Sequence, residues 1–157
     1  MKKIRLFDLK ISNKNQQRSL INAFKKVLNH GQFFLGPEVR EFEKQISSYL
    51  KSKYSIGVAS GSSALYLSLR ACGIGNGDEV ITTPLSWIIT SNAISSCGAV
   101  PVFVDIKDDL NINEKLIKKS ITKKTKAIVP MHYGGHACNM KSIMKIARKY
   151  KLFVIED

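Results

Sequence analysis

Residues 79–104 read EVITTPLSWIITSNAISSCGAVPVFV, and this stretch decides the fold. Its two ends, Glu79–Thr83 and Val100–Val104, are short apolar runs typical of buried strands, and Ser86–Cys97 between them has the pattern of a helix. After Glu79 the stretch contains no charged residue, but its serines, threonines and two prolines argue against a membrane span. We therefore predict a strand, a loop, a helix and a second strand.

The same alternation continues on both sides of this stretch. The further predicted strands are 54–59, 127–130 and 152–155, and the further predicted helices are 62–72, 114–121 and 139–150. Strands that alternate with helices indicate βαβ crossovers and a largely parallel sheet buried on both faces, which is a three-layer α/β fold. We expect a helical segment over residues 1–53, with Pro37 at the first position of a helix, and βα units over 54–157.

The composition is that of one globular domain of 157 residues, of which 44% are hydrophobic. Its three cysteines are widely spaced and form no CxxC pair, which argues against a disulfide framework or a zinc ribbon and favours a reduced, cytoplasmic setting. The N-terminus is basic, and Asp8 and Lys10 interrupt it where a signal peptide needs an apolar run.

The net charge of +13 comes from 25 basic and 12 acidic residues. The lysines are scattered over predicted helix faces and loops, without the interleaved aromatic residues of a platform for single-stranded nucleic acid. A solvated basic surface is the simpler interpretation, and attraction of a phosphorylated substrate is the alternative. A nucleic-acid-binding module would instead show steeply salt-dependent binding.

In an open α/β sheet, ligands bind beyond the carboxyl ends of the strands. The segment Ser60-Gly61-Ser62-Ser63-Ala64 follows the first predicted strand and opens a helix. Such a turn can bind phosphate through its N–H groups, but taken alone it is more simply a strand-to-helix turn with a serine N-cap. The chain has no P-loop motif, and the glycines at 73, 75 and 77 follow a helix, so they are no dinucleotide fingerprint.

Three more strand ends carry candidate residues. Trp87, the only tryptophan, could stack on an aromatic cofactor or simply pack in the core. The loop 132–138 holds two histidines and a cysteine, but their spacing does not match a metal site, and a polar active-site loop fits better. Glu156-Asp157 could bind magnesium, or Asp157 could pair with the protonated ring nitrogen of pyridoxal phosphate and keep the ring an electron sink.

These motifs occur together in an order that resembles the DegT/DnrJ/EryC1/StrS aminotransferases over nearly the whole chain. The segments that carry the resemblance are GQFFLGPEV (31–39) with Phe42-Glu43, SGSSAL (60–65), GNGDEVITTP (75–84), PVFVDI (101–106), TKAIVPMH (125–132) and VIED (154–157). The resemblance implies the large domain of a fold-type-I enzyme dependent on pyridoxal 5'-phosphate.

The resemblance also implies which residues hold the cofactor. Gly61, Ser62 and Ser63 would surround its phosphate, Trp87 would stack on its ring, and Asp157 would bind the pyridine nitrogen, with no metal ion. The expected reaction moves an amino group, usually from glutamate, to a keto-sugar carried on a nucleotide, for example in polysaccharide biosynthesis. Members usually act as homodimers with shared active sites, and no nucleic acid or membrane is involved.

Asp157 ends the chain directly after a predicted buried strand, so we interpret the sequence as a truncated large domain without its small domain. In the family the lysine that forms the Schiff base lies beyond the position of Asp157. Within the same fold, a pyridoxal- or pyridoxamine-phosphate-dependent sugar dehydratase differs at that lysine, and a non-catalytic gene remnant is a further alternative.

We accordingly expect residues 1–157 alone to be poorly soluble or partly folded, and to show no transamination between glutamate and a keto-sugar, because covalent exchange needs the lysine. An assay of amino-group transfer by the purified chain checks this, and measurable turnover would contradict it.

Overall fold

The computed structural model describes residues 8–157, and the basic stretch at residues 1–7 lies outside the described residues. The chain divides into two compact units, Met1–Gly57 and Val58–Asp157. No helix in the described part of the chain is long and apolar enough to cross a membrane.

The first unit contains helix α1 (Lys14–His30) and helix α2 (Pro37–Leu50). Asn13 caps α1 by accepting hydrogen bonds from two backbone N–H groups, and Gly31 ends the helix with a φ of 67°, a conformation that glycine adopts without strain. Pro37 occupies the first turn of α2, as predicted, where its missing N–H costs nothing. Glu38 joins the two helices, since its carboxylate lies 3.2 Å from His30 Nε2.

The second unit alternates helices and strands. Its helices are α3 (Gly61–Ala71), α4 (Ile89–Ser96), α5 (Glu114–Ile117) and α6 (Met140–Tyr150), and its strands are β1 (Glu79–Thr82), β2 (Val100–Phe103), β3 (Thr125–Ile128) and β4 (Phe153–Val154). Short 3₁₀ turns follow α5 at Lys118–Ser120 and occur at Tyr133–Gly135. The predicted helix over 114–121 is therefore one α-turn continued by a 3₁₀ turn.

The four strands form a parallel sheet in the order β2-β1-β3-β4. Ile81 of β1 pairs with Val102 on one side and with Ile128 on the other, and Ile128 pairs in turn with Val154 of β4. Backbone hydrogen bonds extend the pairing of β3 and β4 beyond the strands, because Asp157 N donates to Pro130 O at 2.9 Å. The largely parallel sheet predicted from the sequence is confirmed.

Neighbouring residues of the central strands enter two separate cores. Val80 and Ala127 belong to a cluster with residues of α3 and α4, whereas Ile81 and Ile128 belong to a cluster with residues of α5 and α6. Because successive strand side chains point to opposite faces, the helices cover both faces of the sheet in this unit. The layers are helices, sheet and helices.

The predicted strand over residues 54–59 is wrong for the described part of the chain, where the sheet contains only the four strands above. Two backbone groups that a strand would pair form hydrogen bonds with side chains instead. Gly57 N donates to Glu43 Oε1 at 2.7 Å, and Ser52 Oγ donates to Tyr54 O at 3.0 Å. Tyr54 and Ile56 are exposed. An apolar run becomes a strand only where the backbone of a neighbouring strand can form hydrogen bonds with it. The sequence of the run does not show whether such a neighbour exists.

Gly98, which follows α4 with a φ of 83°, gives a stability test. A Cβ at this position would lie 2.9 Å from Asn76 Cγ, whereas a Cβ at Gly77, with the same φ, would meet no atom within 4 Å. We expect Gly77→Ala to lower the free energy of unfolding by about 1 kcal/mol, from φ strain alone. Gly98→Ala should cost about 2–3 kcal/mol, because Asn76 must also move. Denaturant titration of both variants measures the difference, and equal losses would contradict the contact.

Candidate functional site

The strand order places a crevice at the carboxyl ends of β1 and β3. The chain leaves β1 for α4 on one face of the sheet and leaves β3 for α6 on the other face. Where neighbouring parallel strands send their helices to opposite faces, the loops separate and leave room for a ligand. The candidate residues at 60–63, 87, 132–138 and 157 all lie on loops or helix starts at this end of the unit.

The first turn of α3 presents backbone N–H groups to solvent. Ser60 is the N-cap, and its Oγ accepts a hydrogen bond from Ser63 N at 3.1 Å. Within residues 8–157, no acceptor contacts the N–H groups of Gly61 and Ser62. A Cβ added at Gly61 would meet no atom within 4 Å. The serine cap and an open anion site are therefore compatible, because the cap uses one N–H and leaves two others available.

Ser62 and Ser63 open onto a groove between α3 and α4 of about 320 Å³. The groove is lined by Ser62, Ser63, Tyr66, Ile89, Ala93 and Ser96. One face of α4, from Ile89 in its first turn to Ser96 at its end, thus forms the wall opposite the serines.

Trp87 lies two residues before α4, and its backbone O accepts a hydrogen bond from Thr90 N at 3.1 Å. Its side chain is 79% exposed, so the ring does not pack in the core of the described chain. A flat aromatic surface is therefore available near the groove.

Asp157 is held in the sheet by its backbone and to α4 by its side chain. Asp157 N donates to Pro130 O, and Asp157 O accepts from His132 N at 3.0 Å. Its carboxylate Oδ2 accepts a hydrogen bond from Thr90 Oγ1 at 2.5 Å. Thr90 belongs to the first turn of α4, which also lines the groove through Ile89. The serines of α3 and the carboxylate of Asp157 therefore flank the same helix start.

The loop 132–138 is polar, as predicted, and is fixed by hydrogen bonds inside the protein. His132 Nδ1 accepts from Cys138 N at 3.1 Å, and its Nε2 lies 3.0 Å from Glu156 Oε2. Both ring nitrogens of His132 thus have protein partners. Burial raises the pKa of the Cys138 thiol, which donates to Met131 O at 3.2 Å. Among residues 8–157, no group of three or more His, Cys, Asp or Glu side chains could hold a metal ion.

The sequence of this chain matches the family model described as the DegT/DnrJ/EryC1/StrS aminotransferase family over residues 14–157. The chain belongs to this family. The resemblance stated from its motifs is therefore confirmed.

Three relatives show how far the similarity extends. The dTDP-3-amino-3,6-dideoxy-alpha-D-galactopyranose transaminase of Aneurinibacillus thermoaerophilus is 44% identical over 98% of this chain and 43% of its own length. The crystal structure of DesV from S. venezuelae superposes with a TM-score of 0.91 at 36% identity, covering 95% of this chain and 40% of DesV. NtdA from Bacillus subtilis, solved with bound cofactor PMP, gives a TM-score of 0.89 at 39% identity, covering 92% and 33% of the two chains.

The chain thus spans less than half of the length of these DegT/DnrJ/EryC1/StrS relatives. It aligns with them over almost its whole length, so the described part is a shared portion of the family fold. The A. thermoaerophilus relative is named as a transaminase of an amino sugar, DesV was solved with a ketimine intermediate, and NtdA was solved with the cofactor PMP.

Two buried polar residues of the site were not found from the sequence. Thr90 is 2% exposed and contacts Asp157, and Asn111 is fully buried beneath the loop 132–138. Asn111 Oδ1 accepts from Tyr133 N at 3.0 Å, and its Nδ2 donates to His136 O at 3.1 Å. Ser86 lies in the loop before α4 and Thr90 lies in the first turn of α4, and nothing local in the sequence indicates a partner at Asp157.

Asn111 gives a test of how the loop is held. In Asn111→Asp the new carboxylate oxygen would face His136 O, and we expect a loss of about 3 kcal/mol of unfolding free energy at pH 7. The loss should shrink as the pH falls toward 4, because a protonated carboxyl can again donate to His136 O. Folding raises the pKa of such a carboxyl. The destabilisation is therefore present at pH values above the pKa that the carboxyl has in the unfolded chain.

The matched control is Asn113→Asp. Asn113 Oδ1 only accepts, from Lys115 N at 3.1 Å as the cap of α5, and aspartate caps equally well. Its unfolding free energy should change by less than about 0.5 kcal/mol. Two variants with equal, pH-independent effects in urea titrations would show that Asn111 does not hold the loop.

Proposed function

We propose that this chain is part of the cofactor-binding large domain of a pyridoxal-phosphate-dependent sugar aminotransferase. The observation that carries the proposal is the position of α4, which lines a groove with Ser62 and Ser63, through Ile89 among others, and whose Thr90 contacts the Asp157 carboxylate. A phosphate at one side of this turn and a ring nitrogen at the other would match the two ends of the cofactor.

The turn at Gly61 fits the phosphate. Two N–H groups without an acceptor in residues 8–157 point from the first turn of an 11-residue helix, whose dipole favours a dianion. The space beside Gly61 would let the phosphate reach the backbone, and the Ser62 and Ser63 hydroxyls can donate further hydrogen bonds.

Asp157 and Trp87 fit the ring. The carboxylate would accept a hydrogen bond from the protonated pyridine nitrogen, and this charge pairing favours the protonated form. The exposed Trp87 ring would stack on the ring face. When bound, the cofactor supplies an electron sink for negative charge that develops at the amino-bearing carbon. The role of the protein residues is to orient the ring and hold its proton at the nitrogen.

We propose glutamate as the amino donor and a nucleotide-linked keto-sugar as the acceptor. The name of the A. thermoaerophilus relative, a dTDP-amino-sugar transaminase, supports this substrate class. The net charge of +13 suits a nucleotide-linked substrate. The lysine that holds the cofactor would lie outside these residues, and the working enzyme would be a cytoplasmic homodimer with shared active sites.

Two substitutions in the full-length protein separate the two ends of the site. Asp157→Asn should keep the phosphate contacts with Ser62 and Ser63 and weaken cofactor binding only through the ring nitrogen, by about tenfold. It should lower single-turnover rates at saturating cofactor roughly a hundredfold or more, because the lost charge acts mainly in the transition state. Gly61→Ala keeps its N–H but should weaken cofactor binding about tenfold, because the added methyl group would occupy the space through which the phosphate reaches the backbone and would cost it one charged hydrogen bond. Turnover at saturating cofactor should stay near normal.

Gly61→Ala needs no structural adjustment, since its Cβ meets no atom within 4 Å, so its unfolding transition should match that of the wild type. Cofactor titration and rapid-quench kinetics on both variants provide the comparison. Equal single-turnover rates for wild type and Asp157→Asn would rule out the role of Asp157, and unaltered cofactor affinity in Gly61→Ala would rule out the phosphate site.

A further inference from the structure

We propose that Thr90 is a positioning residue for Asp157, and that Ser86 and Thr90 form a one-way hydrogen-bond relay that aims the carboxylate at the cofactor ring nitrogen. This inference rests on the proposed function. Ser86 Oγ lies 2.7 Å from Thr90 Oγ1, and Thr90 Oγ1 lies 2.5 Å from Asp157 Oδ2. The three groups come from the loop after β1, the first turn of α4 and the segment that follows β4.

The direction of the relay follows from the chemistry of its last member. An ionised carboxylate can only accept hydrogen bonds, so the Thr90 hydroxyl must donate its single proton to Asp157. The Thr90 oxygen is then an acceptor, and the Ser86 hydroxyl must donate to it. Each hydroxyl in such a chain polarises the next, which strengthens the bond to the carboxylate.

The burial of Thr90 indicates that this contact matters to the site. Thr90 is 2% exposed, and a buried hydroxyl without a partner would cost stability, so its proton needs an acceptor inside the protein. The helix behind it is firmly packed, because Ala93 and Ile94 are buried in the core beside β1. Thr90 is therefore a rigid support rather than a mobile surface group.

The relay leaves one carboxylate oxygen for the ligand. Backbone hydrogen bonds to Pro130 and His132 fix the main chain of Asp157, but they do not set the rotation of its side chain. Thr90 engages Oδ2, while Oδ1 has no hydrogen-bond partner within residues 8–157. Holding Oδ2 fixes the plane of the carboxylate and presents Oδ1 in one orientation. A ring N–H would meet an oxygen that is already aimed, with less entropy to lose on binding.

A purely structural contact is the competing explanation, in which Thr90 simply ties the end of β4 to α4. The two explanations predict different effects on the binding of ligands with and without a ring nitrogen. A positioning role acts through the ring nitrogen, whereas a structural tie would affect any ligand of the same shape. A cofactor analogue in which a C–H group replaces the ring nitrogen, 1-deaza-pyridoxal phosphate, separates them.

The experiment measures equilibrium dissociation constants of pyridoxal phosphate and of the deaza analogue for the full-length wild type, Thr90→Val and Thr90→Ser. Thr90→Val keeps the shape but removes the hydroxyl, and we expect about tenfold weaker binding of pyridoxal phosphate with unchanged binding of the analogue. Thr90→Ser keeps the hydroxyl and should restore the wild-type preference. Equal weakening of both ligands in Thr90→Val would overturn the proposal and leave only the structural tie.

Ser86→Ala provides a second route if Thr90→Val fails to fold, because Ser86 is only half-buried and its removal leaves the contact of Thr90 with Asp157 in place. It should reduce the preference for pyridoxal phosphate about two- to threefold, as expected for the loss of polarisation in a hydrogen-bond chain. An unchanged preference would contradict the relay. A wild type that binds both ligands equally would instead refute the contact of Asp157 with the ring nitrogen, and one that binds neither would refute the proposed function itself.

Discussion

The burial of both faces of β1 and β3 is the constraint on which the second unit depends. Val80 and Ala127 face one core, and Ile81 and Ile128 face the other, all fully buried. A parallel sheet with two apolar faces must be covered by helices on both sides. A face left uncovered would lose the stabilisation that comes from removing its apolar surface from water. The alternation of helices along the chain follows from this requirement.

The same constraint creates the site. Since β1 lies between β2 and β3, the chain must pass to one side of β1 through α4 and to the other side through α5 and α6. Crossovers between parallel strands are right-handed. Two crossovers that run in opposite directions across the sheet therefore place their helices on opposite faces. The crevice at the carboxyl ends is thus a product of topology. Its polar residues occupy positions that the packing leaves open.

Long-range contacts then convert this crevice into a defined arrangement. Thr90 and Asp157 are 67 residues apart in the chain and meet because β4 adds to the sheet beside β3. Asn111 fixes the loop 132–138 from a turn after β2, with both of its amide groups satisfied. The buried side chains of Thr90 and Asn111 are thus both paired, which is the condition under which such groups make a structure specific.

The amino-acid sequence by itself determined the class of fold and the parallel sheet, because strand and helix periodicity and turn residues are local properties. Its ordered motifs carried the resemblance to the family. It also indicated Gly61–Ser63, Trp87 and Asp157 as candidates, since each follows a strand or opens a helix. The sequence wrongly predicted a strand at residues 54–59, because this apolar run has no neighbouring strand in the described chain. It did not indicate the roles of Thr90 and Asn111. Only the tertiary structure decided those, because the value of a buried hydroxyl or amide depends on a partner that folding brings from a distant part of the chain.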